Sequence, residues 1–199
     1  MATSSLFLFY FVLTIDHMAT NLRNLSNYDP TEVPDGDNYT IGIIVSEYNS
    51  DITFSLRDAC LKALLAHNVS AENITVDYAP GAYELPLAAQ TLYFGTMCDA
   101  VIVLGCVIKG DTEHDVYINH AVSKALMDLS LEMDIPFIFG LLTTNDHQQA
   151  LDRAGGKHGN KGTECAIAAL KMLALQERHA MDDDEMETLF DPDAADDED

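Results

Sequence analysis

The residues best suited to chemistry sit on one strand-to-helix crossover. Gly105-Cys106-Val107-Ile108-Lys109-Gly110-Asp111-Thr112-Glu113-His114 follows the apolar run Ala100-Val101-Ile102-Val103-Leu104 and precedes a helical pattern from about Asp115 to Met133. Free backbone N–H groups and the positive end of a helix dipole favour an anion at such a turn. In open α/β sheets, ligands bind beyond the carboxyl ends of the strands. The stretch resembles a phosphate loop only loosely, because it lacks the Gly-Lys-Ser/Thr ending of a nucleotide site. His114 adds an imidazole, which titrates near neutrality and can serve as general acid or base. The plainer reading of His114 is a polar surface residue in a first helical turn.

Three of the ten lysines and arginines fall within nine residues, at Arg153, Lys157 and Lys161. The surrounding run, Arg153-Ala154-Gly155-Gly156-Lys157-His158-Gly159-Asn160-Lys161-Gly162, is net positive in a strongly acidic chain. Its glycines let backbone approach a ligand closely; a solvated flexible loop is the alternative. Tyr48 and Phe139 fall at or near the carboxyl ends of two expected strands, where an aromatic ring can stack on a planar heterocycle or simply join the core. Glu84 opens an expected helix, where its charge suits the dipole, and could equally accept hydrogen bonds from ligand hydroxyls. The four cysteines, Cys60, Cys98, Cys106 and Cys165, match neither a zinc nor a redox spacing. They read as reduced core thiols of a cytoplasmic protein. His67, His120, His147, His158 and His179 have no metal-ligand spacing and read as surface or packing residues.

Several elements must position these groups. Tyr39-Thr40-Ile41-Gly42-Ile43-Ile44-Val45-Ser46 is a β-branched run without strict alternation, as expected of a strand buried on both faces. A helix is expected from Ser50 or Asp51, either of which could cap it, to His67-Asn68. Asn73–Tyr78 is the second strand, and Pro80–Pro86 crosses into a second helix ending at Gly95. Asp99–Gly105 is the third strand, followed by the long helix. Ile135–Leu142 is the fourth, and its early proline suits an edge. A short helix to Arg153, a loop from Ala154 to Asn160 and a last helix from about Lys161 to His179 close the chain. Such alternation implies a parallel sheet with helices on both faces and right-handed crossovers.

The 199 residues suffice for one domain with extra ends. The core reads as 39–179, long enough to bury a substantial apolar interior. Residues 18–38 are polar and turn-rich and read as an extended arm. Residues 1–17 contain the apolar run Leu6–Leu13 but no basic leader and no clean cleavage site. The run is too short to span a membrane, so these residues read as a dispensable extension, with translation from Met18; an N-terminal anchor is the alternative. The formal charge of −23 argues against nucleic acid or an anionic membrane as partner. About half of that excess lies in the stretch 180–199, which carries eleven acidic residues and reads as a disordered tail, with a partner-binding element as the alternative.

Taken together, four motifs resemble the 6,7-dimethyl-8-ribityllumazine synthase family over about residues 39–177. They are Pro-Gly-Ala-Tyr-Glu-Leu-Pro at 80–86, Gly-Cys-Val-Ile-Lys-Gly-Asp-Thr-Glu-His at 105–114, Phe-Gly-Leu-Leu-Thr-Thr at 139–144, and Arg-Ala-Gly-Gly through Asn-Lys-Gly at 153–162. The resemblance implies a flavodoxin-like three-layer α/β/α sandwich with a four-stranded parallel sheet. It also implies the penultimate reaction of riboflavin synthesis. There, 5-amino-6-(D-ribitylamino)uracil condenses with 3,4-dihydroxy-2-butanone 4-phosphate to give the lumazine, phosphate and water. Tyr48, Ala82, Tyr83, Glu84, Cys106, Val107, Ile108, Phe139 and Lys161 would hold the uracil substrate, with Phe139 and Lys161 reaching it across a subunit boundary. Asp111, Thr112 and Arg153 would hold the phosphate substrate, and His114 would donate and accept protons. Tyr48 stands where the family usually has Trp or Phe, and Ala82 where it often has Ser.

No metal, redox cofactor or enzyme nucleophile is implied. The implied partners are the two substrates, further copies of the chain and riboflavin synthase. The family assembles as pentamers or as shells of twelve pentamers, and the short stretch between Arg153 and Asn160 is a hint towards the shell. Two other functional classes compete with the enzyme: a flavodoxin-like module that binds flavin or phosphate without catalysis, and a shell protein that has lost activity. Retention of His114 and Arg153 favours the enzyme.

Overall fold

The computed structural model describes residues 26–180. Residues 1–17, the first part of the 18–38 arm and the acidic run after Ala180 lie outside that range. The alternation read from the sequence becomes strands β1 (Ile41–Ser46), β2 (Ile74–Ala79), β3 (Ala100–Ile108) and β4 (Phe137–Thr144). Helices α1 (Ser50–Ala66), α2 (Leu85–Thr96), α3 (His114–Met133), α4 (His147–Arg153) and α5 (Lys161–His179) connect and follow them. All pairings are parallel, in the order β2-β1-β3-β4. The architecture is a flavodoxin-like α/β/α sandwich.

The central strands β1 and β3 are buried along almost their whole length, which explains their unbroken apolar runs. Alternate residues feed two cores. Ile41, Ile43, Ile102 and Leu104 pack with Leu56 and Leu64 of α1 and Leu170 of α5. Ile44, Val101 and Val103 pack with Leu85 of α2 and Val122 and Leu126 of α3 on the other face. Full burial of each such side chain contributes about 1.5–3 kcal/mol. At the sheet edges burial is interrupted, and Pro136 precedes β4, as expected of an edge strand. All four cysteines are free and buried.

The helices on the α1/α5 side meet closely. A Cβ placed on Gly162 would lie 1.9 Å from the Leu56 carbonyl oxygen, so only glycine lets these backbones approach. Cross-links reinforce the contact. Ser55 Oγ donates to the Ala154 carbonyl at 2.6 Å, and Asn160 Nδ2 donates to the Ser55 carbonyl at 3.2 Å.

Three local details differ from the sequence reading. Residues 154–160 form a small hairpin, β5 (Ala154–Gly156) with β6 (Gly159–Asn160), instead of an open loop. Gly155 at φ 113° supplies a backbone conformation that other residues resist, and the His158 N–H to Asp152 carbonyl bond of 2.9 Å closes the turn. The arm includes a 3₁₀ turn at Pro30–Glu32, capped by Asp29 Oδ1, which accepts from the Thr31 N–H at 2.9 Å. Helix α1 is preceded by Asn49, not by a Ser50 or Asp51 cap, and Asn49 lies in the left-handed region at φ 58°.

Candidate active site

The strand order reverses direction between β1 and β3, and an open α/β sheet binds its ligand at the carboxyl end of such a switch. A cavity of about 580 Å³ lies there, a size typical of small-molecule sites. Its walls come from the turn after β1 (Tyr48, Asn49), the crossover into α2 (Gly81–Glu84), the end of β3 (Cys106–Ile108, Gly110) and the head of α3 (Thr112, His114, Asp115, Ile118).

Hydrogen bonds hold these walls in register. The Glu47 N–H donates to the Ala79 carbonyl at 2.8 Å, and the Tyr48 N–H to Pro80 at 3.2 Å, which fastens the β1 turn to the α2 crossover. Buried Thr53 donates Oγ1 to the Ser46 carbonyl at 2.7 Å and anchors α1 to the end of β1. Asn49 Nδ2 donates to the Cys106 carbonyl at 3.0 Å, bridging the ends of β1 and β3. The Cys106 carbonyl, expected to face the heterocycle, therefore already accepts one bond from the protein. Burial, and next the charge of Asp51, push the Cys106 thiol up to about 11, so it stays protonated at neutral pH. The Tyr48 and Tyr83 side chains are 73% and 64% exposed, offering ring faces to solvent at the rim.

Glu113 offers helix α3 no side-chain cap, and the Val116 N–H donates to the Glu113 carbonyl at 3.0 Å, so of the first-turn N–H groups that of Asp115 is left to an anion at the positive end of the helix. Thr112 Oγ1 accepts from the His114 N–H at 3.4 Å. Gly110, Thr112 and His114 all line the cavity, whereas Asp111 does not.

Phe139, Arg153 and Lys161 lie elsewhere. They line a second cavity of about 660 Å³ beneath the carboxyl end of β4, together with Leu141, Thr143, Thr144, Asp152, Lys157 and His158. The two cavities share no lining residue. The cations of the second are partnered. Arg153 meets Glu164 at 2.8 Å and donates Nη1 to the His158 carbonyl at 2.8 Å, Lys161 lies 3.5 Å from Glu164, and Lys157 lies 3.4 Å from Asp152. Glu164 is only 10% exposed, so its charge is well placed to hold both neighbours. One chain thus carries a cavity with His114 and Glu84 but no lysine or arginine, and another with an arginine, two lysines and a half-exposed aromatic.

The chain also matches one known family along its sequence. The family model described as 6,7-dimethyl-8-ribityllumazine synthase matches residues 38–177. The chain belongs to the 6,7-dimethyl-8-ribityllumazine synthase family. Its activity is lumazine synthesis, a step of riboflavin biosynthesis. Proteins of that name from several bacteria are similar to it over about four fifths of its length. The one from Parabacteroides distasonis is 49% identical, covering 78% of this chain and 98% of its own length. Those from Porphyromonas gingivalis and Flavobacterium johnsoniae are 48% and 44% identical, covering 80% and 81% of this chain and 99% and 85% of theirs.

The sequence reading of this lumazine synthase missed two polar residues that organise the cavities. Asn49 could have been noticed as a residue tolerant of the left-handed region at a strand-to-helix turn. Glu164 stands three residues after Lys161, on the same face of a helix, a spacing at which opposite charges meet. Among the described residues no group of three or more His, Cys, Asp or Glu is arranged to hold a metal ion, and no helix is long and apolar enough to cross a membrane.

Proposed function

We propose that this lumazine synthase joins ribitylaminouracil to butanone phosphate in a site completed by two copies of the chain. The first cavity of one copy and the second cavity of its neighbour each contribute half. The observation that carries this reading is the separation of the residues. The proton-transfer group lies in one cavity, and Arg153, Lys161 and Phe139 lie in another that shares no wall with it.

In this reading the pyrimidine stacks on Tyr48 and meets Phe139 and Lys161 of the neighbour. Main-chain groups of Cys106, Val107 and Ile108 face the heterocycle, and Ala82, Tyr83 and Glu84 receive the ribityl chain. The phosphate sits on the backbone N–H groups of Asp111 and Thr112, with Arg153 of the neighbour as charge partner. The amine condenses with the ketone to an imine and releases water. Loss of a proton and departure of phosphate follow, and the second nitrogen closes the ring with loss of a further water. His114 accepts and returns the protons. Each proton transfer by a positioned imidazole is worth about 10²–10⁴ in rate, and holding both substrates together contributes a further large factor.

The catalytic domain is 39–179, supported by the family match over 38–177, with an arm before it and an acidic tail after it. The assembly is a pentamer or a sixty-subunit shell, with riboflavin synthase as a further partner. Sedimentation velocity separates the two assemblies. Four free, buried thiols support a cytoplasmic home. Subunit mixing tests the shared site. His114→Ala and Arg153→Ala proteins are each inactive alone. Unfolded and refolded together in equal amounts, they recover about a quarter of wild-type activity, because that share of interfaces pairs two intact halves. Failure to recover activity, with assembly intact, refutes the shared site.

A further inference from the structure

A phosphate on the turn from Gly110 to Thr112 faces a charge problem. Asp111, Glu113 and Asp115 crowd the same turn, Glu84 lies on the facing wall, and the whole chain carries a formal charge of −23. Asp115 Oδ1 is buried with no hydrogen-bond partner, so no donor of the described residues offsets that oxygen. The cations of the second cavity are already within 4 Å of Glu164 or Asp152. A dianionic substrate approaching this edge of the sheet therefore meets a largely negative field.

Lys109 is the exception. It lies between Ile108 and Gly110, both of which line the first cavity. Its N–H donates to the carbonyl of Thr144 at 2.8 Å, and Thr144 lines the second. It thus stands on the ridge between the two. Lys109 is the first residue after β3, at the start of the turn that leads to His114 and its helix. The residue is exposed, and no acid of the described residues lies within ion-pair distance of it. Between Gly105 and His114 it is the sole lysine or arginine.

We propose that Lys109 is the capture cation for the phosphate of the butanone substrate, offsetting the acids of the turn. This rests on the phosphate occupying the 110–112 turn. An ammonium on a flexible stem suits the task, since it can meet the phosphate at the rim and follow it inward as a point charge.

The test compares wild type, Lys109→Gln, Lys109→Arg and Thr112→Pro, which removes one backbone N–H of the turn, at about 20 mM and about 500 mM ionic strength, where screening lengths differ severalfold. The readouts are KM for the butanone phosphate, Ki for inorganic phosphate, and KM for the uracil substrate. Lys109→Gln raises the first two about fivefold to tenfold at low salt and flattens their salt dependence. It leaves kcat and the uracil KM within about twofold, and Lys109→Arg behaves as wild type because it restores the charge. A purely structural role for Lys109 would not make the loss salt-dependent. If Lys109→Gln keeps the wild-type Ki and salt slope while Thr112→Pro raises Ki, the role of the lysine is refuted and the turn stands as the phosphate site. If neither variant moves Ki, both fall.

Discussion

Asn49 joins backbone geometry to the site in a way that separate substitutions can resolve. It holds φ 58°, and its side chain bridges to the Cys106 carbonyl at 3.0 Å. Asn49→Ala loses a neutral hydrogen bond, about 0.5–1.5 kcal/mol, and forces a Cβ-bearing residue without a compensating polar side chain into the left-handed region, about 1–2 kcal/mol. The total is about 1.5–3.5 kcal/mol. Asn49→Gly loses only the bond and costs about 1 kcal/mol. Urea denaturation, monitored at several protein concentrations so that assembly is accounted for, measures both. Activity reads the second role. The bridge sets the gap between the ends of β1 and β3, next to Tyr48. Both variants therefore lower kcat/KM by at least about tenfold, because small misplacements of binding groups are costly. Equal stability loss in the two variants refutes the backbone argument. Full activity in Asn49→Gly refutes the claim that the bridge organises the cavity.

Two other perturbations have definite outcomes. Gly162→Ala drives a methyl to 1.9 Å from the Leu56 carbonyl oxygen, where no rotamer can relieve it. It lowers stability in urea by about 3 kcal/mol or more, and a variant with unchanged stability would show that α1 and α5 part freely. The buried thiols make stability fall at high pH. Burial raises the Cys60 thiol well above the ordinary cysteine range, raises Cys98, and pushes Cys106 and Cys165 up to about 11 and about 12. The unfolded chain therefore loses these protons first, and stability, fully present below pH 9, declines as pH rises towards 12. Thermal melts across that range check the sign, and a disulfide-exchange reagent labels none of the four thiols at neutral pH until denaturant is added.

Much of this was legible before any coordinates. The unbroken β-branched runs at 41–46 and 100–104 announced strands buried on both faces, because a parallel sheet covered by helices has no wet side. Pro136 marked an edge, since proline cannot donate to a ladder. Residues 154–160 were less legible. Their glycines suit either an open loop or a hairpin, and the choice falls to contacts distant in sequence, such as the bonds from Ser55 and Asn160 that tie the hairpin to α1. The role of Asn49 is not legible locally for a related reason, because the carbonyl it bridges to lies fifty-seven positions away.

The sequence by itself determined the layer architecture, the activity and the inventory of reactive groups. Periodicity is written locally, and the motifs at 80–86, 105–114, 139–144 and 153–162 follow one another along the chain. Only the tertiary structure decided how that inventory is divided. Strand order sends His114 to the switch point between β1 and β3, and sends Phe139, Arg153 and Lys161 to the outer edge beside β4. It also neutralised Arg153 with Glu164 and left Lys109 without an acid on the ridge between the cavities. Charge pairing depends on which helices face which strands, and that is a property of the packed sheet.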